Sequence, residues 1–262
     1  KKKTIDLQNS NKRIINSVKA DVKNFLVDLK EVSEANTISI KVPSTNKKAT
    51  FKQFNVTQQK KLLRSAFDGV EGSIETGSIF NSMIKDNCEE DIKFLLCDRA
   101  PILIELRKGS IGDKFSIDEQ QYELSTLKPY DIKEIELTKK IEVTGVEVSL
   151  RVPTLDTDTK INTKLIAEFG KLTDEQKQTQ SIELVLIYEI VKYIDSIKIG
   201  DVVINFDDIS VYERVSIVNE LPLALNNSII DYISGTKLIE EESLTFDDGK
   251  AVEIDAGFLA AD

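Results

Sequence analysis

Histidine and tryptophan are absent from this sequence of 262 residues, which contains one methionine and two cysteines. Histidine is the one side chain whose unperturbed pKa lies between about pH 5 and 8. Its absence excludes histidine-based catalytic triads and dyads, and it removes most catalytic zinc sites. We therefore predict a protein that is not an enzyme, with no catalytic residues, no metal site and no cofactor.

Cysteine is also scarce, because Cys88 and Cys97 are the two present, and they lie nine positions apart. Two thiols are too few for a zinc site with four cysteine ligands. We interpret them as small buried side chains, with a redox pair as the alternative. A chain that does not depend on disulfides is typical of a reducing compartment or of a virion surface.

Long apolar runs are missing as well. The most apolar stretches, 94–97, 101–106 and 182–191, are interrupted by charges and are shorter than the roughly 20 apolar residues that span a bilayer. The basic N-terminal residues are not followed by the apolar core of a secretory signal. We expect a soluble protein with no membrane partner. The net charge of −10 repels phosphate, so we also expect no nucleic-acid partner.

Changes in apolar periodicity predict an α+β fold with an N-terminal helix, a β-hairpin, a helical middle, an antiparallel β region and a helical C-terminal third. A helical stripe runs over roughly 11–33, and 37–54 alternates around a Pro-Ser-Thr-Asn turn. Residues 114–153 are rich in strand patterns. Helices are expected at about 57–67, 78–88, 89–106, 160–169, 181–195, 208–219 and 221–234, with an extended piece at 198–206.

Several local signals set the expected boundaries. Thr57 is predicted to cap a helix that Gly69 ends, and the glycines of 69–78 predict a connection. Glu89 to Asp91 suit a helix N-terminus, and Pro101 is expected to kink or split that helix. Gly235 is predicted to end the last helix.

The charge distribution divides the chain into four predicted regions. Residues 1–30 carry eight basic and three acidic side chains, whereas 239–262 carries one basic and eight acidic side chains. The regions are a basic amphipathic helical arm (1–36), the hairpin, helices and antiparallel β region (37–153), a helical region (154–238) and an acidic tail (239–262). The tail permits one late hairpin, and its remainder is expected to be flexible.

Four short motifs invite a chemical interpretation. Residues 72–78 have P-loop glycine spacing but lack its lysine, and Asp156 to Asp158 begins like an EF-hand loop without the glycine, so we interpret it as a solvated loop. The pairs Asp207-Asp208 and Asp247-Asp248 offer carboxylates for glycoside hydrolysis, but the first pair also suits a helix N-terminus. Gly109 to Gly112 has KH-type spacing without a basic neighbourhood, which favours a simple turn.

Residues 40–56 and the helix after them resemble the opening of the baseplate hub subunit family of T4-like contractile-tailed phages. Members begin with a strand, an LPSTGK turn, a K-x-R-P-F strand and a V-K-E-E-K-x-L-L helix. The corresponding residues here are Val42, Pro43, Ser44, Thr45, Asn46 and Lys47 in the turn, Phe51, Lys52, Gln53 and Phe54 in the strand, and Gln58, Gln59, Lys60, Leu62 and Leu63 in the helix.

Further similarities follow in the same order and extend the resemblance over about 37–235. Leu106, Arg107, Ser110 and Gly112 resemble L-R-x-x-S-x-G, 150–155 resembles L-R-Y-P-T, and 218–225 resembles F-F-x-x-M-P-x-L. The chain departs from the family pattern at three places: Lys52-Gln53 replaces Arg-Pro, Asn46 replaces the turn glycine, and Leu221 replaces methionine.

The resemblance implies a non-enzymatic structural subunit of a phage baseplate hub, located in the virion tail and present in the host cytoplasm during assembly. A transient chaperone for hub assembly is the alternative, and a hydrolase using an acidic pair is a third. The implied partners are other baseplate and tail proteins, and a homo-oligomer stays open. The partner-binding residues we predict are Ile15, Val18, Val22, Phe25 and Leu29 on the arm, and Pro43, Ser44, Thr45, Lys47 and Phe54 on the hairpin.

The arm has two interpretations. A charged end of a chain is usually a solvated end. Alternatively, the apolar stripe docks on a neighbouring subunit, and the basic rim orients it toward an acidic surface such as the tail of another copy.

Overall fold

The computed structural model describes residues 22–29, 36–66 and 69–259. Within these ranges it contains eight α-helices and antiparallel β-strands, which confirms the predicted α+β class. The helices are α1 (22–29), α2 (Val56–Ser65), α3 (Gly69–Asn87), α4 (Arg99–Ser110), α5 (Leu155–Phe169), α6 (Asp174–Tyr193), α7 (Val211–Asn219) and α8 (Leu223–Ser243). The strands are β1 (Thr37–Lys41), β2 (Lys48–Lys52), β3 (Lys114–Ile117), β4 (Gln120–Glu123), β5 (Thr138–Val143), β6 (Val146–Arg151), β7 (Ile194–Ile199) and β8 (Val202–Asn205).

The predicted hairpin is confirmed as β1 and β2, which pair from Thr37↔Lys52 to Lys41↔Lys48. The helix after it is capped by Asn55, two residues before the predicted Thr57. The Asn55 side chain accepts a hydrogen bond from the Gln58 backbone N–H, and the Gln58 side chain accepts one from the Asn55 N–H, both at 3.1 Å. This reciprocal capping box satisfies two backbone donors at once.

The predicted connection at 69–78 is wrong, because α3 is continuous from Gly69. Gly72 is buried, and the Thr76 hydroxyl donates to its carbonyl at 2.8 Å. The same hydroxyl lies 2.7 Å from the Ser65 hydroxyl of α2. Small side chains permit this close approach of two helices, so tertiary packing outweighs the poor helix propensity of glycine.

The helix predicted at 89–106 is wrong over its first half, since α4 begins at Arg99. The preceding residues do not form an α-helix, and Leu96–Asp98 is a short 3₁₀ turn, because distant backbone groups bind this segment. The Leu96 N–H donates to the Pro153 carbonyl at 2.7 Å, and the Leu155 N–H donates to the Phe94 carbonyl at 3.1 Å. Pro101 lies in the first turn of α4, where its missing N–H leaves no helical bond unmade.

Strands β5 to β8 form a four-stranded antiparallel sheet in the order β5-β6-β7-β8. Helices α5 and α6 are inserted between β6 and β7. The extended piece predicted at 198–206 is a hairpin, in which Ile199 and Val202 flank the Gly200-Asp201 turn. Helix α5 begins at Leu155, capped by the Thr154 side chain, so Asp156 and Asp158 lie in a helix and not in the predicted loop.

The predicted end of the last helix at Gly235 is wrong, because α8 continues to Ser243. Residues that follow are also ordered against the core: Phe246, Val252, Phe258 and Leu259 are buried. The Phe258 ring lies 6.3 Å from Phe80 and 5.9 Å from Phe115. The prediction of a flexible tail is therefore wrong as far as Leu259.

Buried residues of the hairpin, the helices, the four-stranded sheet and the C-terminal segment belong to one hydrophobic cluster. Examples are Ile40, Phe51, Leu103, Val148 and Ile229, each at most 3% exposed.

Candidate interaction surfaces

The described part of the N-terminal arm is a helix whose side chains face solvent. Val22, Phe25, Leu26 and Leu29 are 53%, 64%, 57% and 52% exposed. Their spacing of three and four residues places them on one face of α1. Ile15 and Val18, predicted to continue this stripe, lie outside the described residues. An apolar helix face left in water is typical of a binding surface.

The hairpin turn is held from inside by Asp98, which is fully buried at 0% exposure. The Ser44 backbone N–H donates to Asp98 Oδ1 at 2.7 Å, and the Ser44 hydroxyl donates to Oδ2 at 2.6 Å. The Leu95 N–H also donates to Oδ2, at 2.9 Å. Burial raises the pKa of Asp98, although the hydrogen bonds from Ser44 and Leu95 oppose that rise. Ser44 therefore fastens the hairpin to the start of α4.

The other predicted hairpin residues divide by exposure. Thr45 and Lys47 face solvent, whereas Pro43 is half-buried. Phe54 packs partly on the core, and its N–H donates to the Ser110 hydroxyl at 3.0 Å. Asn46 replaces the family glycine at a φ of 59°, a left-handed conformation that asparagine tolerates better than most residues.

The second motif of the resemblance, at 106–112, is also used internally. Arg107 is fully buried, with its guanidinium donating to the carbonyls of Phe258 and Lys114 at 2.9 and 2.7 Å. A Cβ added at Gly109 would lie 2.3 Å from Ile38 Cδ1, so a larger residue here would force the Ile38 side chain of β1 to move. These motif residues hold the hairpin and the C-terminal segment against α4.

A cavity of about 390 Å³ lies where α3, α4, α5, α6 and α8 meet. Its polar lining is an ionic network: Lys192 Nζ contacts Asp158 Oδ1 at 2.7 Å and Glu189 Oε2 at 2.8 Å. Lys237 contacts Glu189 Oε1 at 2.8 Å, and the Asn81 amide donates to Asp158 Oδ2 at 2.7 Å. The charges therefore satisfy one another, which is how buried ions avoid a large desolvation penalty.

The pKa shifts in this network follow its pairing. Burial would raise the pKa of Glu189, but Lys192 and Lys237 overcome it and hold that pKa at about 2. The same carboxylate and Asp158 raise the pKa of Lys192 against the effect of burial. Burial raises the pKa of Glu240 despite the nearby Arg99 and Lys237.

The two acidic pairs, Asp207-Asp208 and Asp247-Asp248, make different contacts in the structure. Asp207 and Asp208 lie in a 3₁₀ turn before α7, whose cap is Ser210, so their predicted place at that helix N-terminus is wrong. Arg151 Nη2 contacts Asp207 Oδ2 at 2.5 Å and, by this hydrogen bond, lowers the pKa of Asp207. Asp248 accepts a hydrogen bond from the Tyr122 hydroxyl at 2.7 Å. A general acid needs the opposite pKa shift.

The remaining chemical motifs lie within regular structure. The P-loop-like residues 72–78 are part of α3, and both thiols are free. Burial raises the pKa of Cys88 to about 11 and that of Cys97 to about 12, which disfavours reactive thiolates. In the ranges that the structure covers, no group of three or more cysteine or acidic residues is placed to hold a metal ion.

The sheet tip is a surface that the sequence interpretation missed. Val143, Val146, Ile199 and Val202 face each other across the four strands and share one side of the sheet. Ile199 and Val202 are 60% and 64% exposed. The signal that could have found this surface is a strand, Val-Val-Ile-Asn, that has no charged residue and follows a Gly-Asp turn.

Taken together, the geometry defines an α+β protein with paired ionic groups inside and apolar surfaces outside. Among the helices that the structure describes, none is long and apolar enough to cross a membrane. The model of the family described as T4 bacteriophage base plate protein matches residues 35–240, and the chain belongs to that family. No curated protein and no solved structure gives a significant match. The family supports a structural role in a phage tail baseplate, beside other baseplate proteins.

Proposed function

We propose that the chain is a non-enzymatic subunit of the baseplate hub that acts through protein–protein interfaces. The observation that carries this proposal is the exposed stripe of α1, where Phe25 is 64% exposed. A folded chain gains nothing from holding such a side chain in water, whereas burial against a partner gains roughly 25 cal/mol per Å² before association costs are subtracted. The stripe therefore suits a surface that is completed during assembly.

Charge supports the direction of this contact. Residues 1–30 are basic in excess, and the chain as a whole has a net charge of −10. Opposite charge mainly speeds and orients encounter, while apolar burial holds the complex. We infer that the arm docks its stripe on an acidic neighbouring subunit, with Ile15 and Val18 extending the contact. Thr45 and Lys47, exposed at the hairpin turn, are proposed as a second contact with baseplate proteins.

The absence of catalysis is supported by how the ionisable groups are used. Lys192, Asp158 and Glu189 bind one another, and Asp207 binds Arg151. These ion pairs stabilise the fold, and the lowered pKa values of Glu189 and Asp207 do not suit proton donation by a general acid. Loss of turnover in Asp208→Asn, with the fold retained, would instead support the hydrolase.

The test compares two variants of α1 in phage assembly. Phe25→Asp places a charge on the apolar stripe, whereas Asn24→Asp adds the same charge to a neighbouring exposed position. Phe25→Asp should block incorporation into tails while circular dichroism shows an unchanged fold. Asn24→Asp should assemble normally. If a chain lacking residues 1–33 still assembles, the arm is not an interface.

The second candidate is a transient chaperone of hub assembly, made in the host cytoplasm and absent from the virion. The same exposed stripe suits a partner that binds and then leaves. Mass spectrometry of purified mature virions separates the two: presence at a fixed ratio to other baseplate proteins supports the subunit, and absence supports the chaperone.

A further inference from the structure

Strand β8 is an outer strand of the four-stranded sheet and is fully open to solvent. Val202, Val203 and Ile204 are 64%, 52% and 38% exposed. Because the two-residue turn is closed by the Ile199–Val202 pair, the register makes Val203 and Asn205 direct their backbone N–H and C=O groups away from β7. The Asn205 carbonyl lies at the start of the 3₁₀ turn Phe206–Asp208 and caps it. The outward groups that β8 offers to a partner strand are therefore the N–H and C=O of Val203 and the N–H of Asn205.

The other outer strand, β5, contacts α8, and among the described residues no strand pairs with its outer side. Its turn, Thr144-Gly145, is closed by the Val143–Val146 pair, so Lys140 and Glu142 direct their backbone groups outward. Both residues are exposed. Each neighbouring pair in the order β5-β6-β7-β8 is antiparallel, so β5 runs opposite to β8. A second copy, moved along the sheet without turning over, therefore presents β5 antiparallel to β8.

We propose that β8 of one copy pairs with β5 of a second copy and continues the sheet from one chain into the next. In the proposed register Val203 lies opposite Glu142 of the next copy, and Asn205 lies opposite its Lys140. These are the residues whose backbone groups point outward on both edges. The Val203–Glu142 pair exchanges two backbone hydrogen bonds, as in any antiparallel ladder, and the Asn205 N–H donates to the Lys140 carbonyl.

The side chains favour this register over its neighbours. It places Val202 opposite Val143 and Ile204 opposite Ile141, which extends the apolar face of the sheet across the junction. A shift of two residues would place Lys139 opposite Ile204. A shift of one residue would turn every apolar side chain to the polar face.

Charge favours β5 over a second β8 as the partner. Asp208 follows β8 and accepts a hydrogen bond from the Asn205 amide at 3.0 Å. The Lys140 side chain is 71% exposed and contacts Glu147 Oε1 at 3.1 Å within its own sheet, and the proposed register brings Lys140 of the next copy next to the Asp208 carboxylate as well. Two β8 strands paired through Val203 and Asn205 would instead bring no lysine to Asp208 and would bring Asp201 of each copy toward the acidic 207–208 turn of the other, where like charges are destabilising.

The contact is heterologous, because each copy uses two different edges. Such contacts build rings when the rotation closes and open chains when it does not. A four-residue strand buries less area than a standard interface, so association of the free protein should be weak and concentration-dependent. This proposal is independent of whether the subunit belongs to the hub.

The test uses proline at positions whose N–H groups point outward, so that no hydrogen bond inside the sheet is lost. Val203→Pro blocks the β8 edge, and Glu142→Pro blocks the β5 edge. Sedimentation velocity from micromolar to millimolar protein should show association of the wild type. Each proline variant alone should raise the dissociation constant about tenfold or more, whereas Val203→Thr, which keeps the N–H, should not.

Mixing the two proline variants gives the decisive result. Each retains one intact edge, so the mixture should form a dimer of one copy of each and nothing larger. A second pair avoids any effect of proline on folding: Val203→Glu opposite Glu142 should weaken association, and mixing it with Glu142→Lys should restore it. A wild type that stays monomeric at every concentration overturns the proposal. If Glu142→Pro forms dimers by itself, and adding Val203→Pro to the same chain abolishes them, the contact joins two β8 strands and the proposal is overturned as well.

Discussion

The ionic network beneath α8 and the tip of the four-stranded sheet distribute charge and hydrocarbon in opposite ways. In the network, the side chains of Lys192 and Asp158 are 8% and 3% exposed and contact each other at 2.7 Å. At the tip, Ile199 and Val202 are 60% and 64% exposed. The network places charged side chains in the interior, where apolar side chains are usual, and the tip places apolar side chains at the surface, where charged ones are usual.

The two regions differ in where their binding partners come from. A buried ion needs an opposite charge and hydrogen-bond donors, and the chain supplies both from several of its own helices. An exposed apolar side chain needs another surface, and none of the described residues covers the tip. Changes in the network should therefore alter folding stability, while changes at the tip should alter association.

The largest expected effect is in the network, for Asp158→Ala. This change leaves Lys192 buried with one carboxylate fewer and should lower the free energy of unfolding by about 3 to 5 kcal/mol. Asp156→Ala on the same helix is the control, because Asp156 is 70% exposed and exposed ion pairs contribute about 1 kcal/mol or less. Urea denaturation measures both. Similar losses for the two variants would contradict the distinction.

The pH dependence of stability should show the pairing of Glu189. Its pKa in the folded protein is about 2, below the value of about 4.3 in an unfolded chain. A carboxyl group whose pKa is lowered by folding stabilises the fold at pH values above its pKa in the unfolded chain. This stabilisation, on the order of 3 kcal/mol, is lost as pH falls from about 4.3 through about 2.

Glu189→Gln should therefore be less stable than the wild type at neutral pH, and the difference should shrink steadily as acid is added. Glu183→Gln, on the exposed side of α6, should follow the wild-type curve. Denaturation midpoints measured across this pH range decide the matter. Parallel curves for Glu189→Gln and the wild type would mean that the pairing does not stabilise the fold.

A smaller effect is expected at the hairpin, where one hydroxyl is among three donors to the buried Asp98 carboxylate. Ser44→Ala removes the donor 2.6 Å from Asp98 Oδ2 and should lower the free energy of unfolding by about 1 to 2 kcal/mol. Thr45→Ala, at an exposed position in the same turn, should change it far less. Equal effects of the two changes would argue against an anchoring role of Ser44.

The smallest effect on stability is expected at the tip itself. Val202→Thr should change the free energy of unfolding by less than about 0.5 kcal/mol, because the side chain is already in water. Val148→Thr, on the same face of the sheet but 0% exposed, should lower it by at least about 1 kcal/mol because a hydroxyl enters the core. Sedimentation of Val202→Thr should show weaker self-association than the wild type. Unchanged association would remove Val202 from the proposed contact.

Several elements were within reach of sequence reasoning because their signals are local. The alternation in 37–42 and 49–54 around a turn predicts β1 and β2, and apolar spacing predicts most of α6 and α8. The exposed stripe of α1 at Val22, Phe25 and Leu29 follows from the same periodicity. Among the hairpin residues predicted to bind a partner, Ser44 follows from the family resemblance. Its role as an anchor could not be predicted, because the anchor is a hydrogen bond to Asp98, 54 positions away.

The errors share a physical cause, which is competition from distant partners. Glu89 to Asp91 have the composition of a helix start, but the next residues are bound by the backbone at 153–155 and stay extended. The glycines near 72 have poor helix propensity, yet contacts of α3 with other elements, such as Thr76 with Ser65 of α2, hold the helix together. Gly235 would suit a helix end, but burial of Ile233 and Thr236 on either side continues α8.

What the sequence determined by itself is the class of fold, the exclusion of histidine-based catalysis, and the amphipathic character of the arm, because composition and short-range periodicity can be read without knowing which distant residues meet. The tertiary structure alone decided that Asp158, Lys192 and Glu189 neutralise one another, and that β8 lies at an open edge with Val202 and Val203 in water. Pairing of charges and position within a sheet depend on residues far apart in the chain, and their energies arise only once those residues meet.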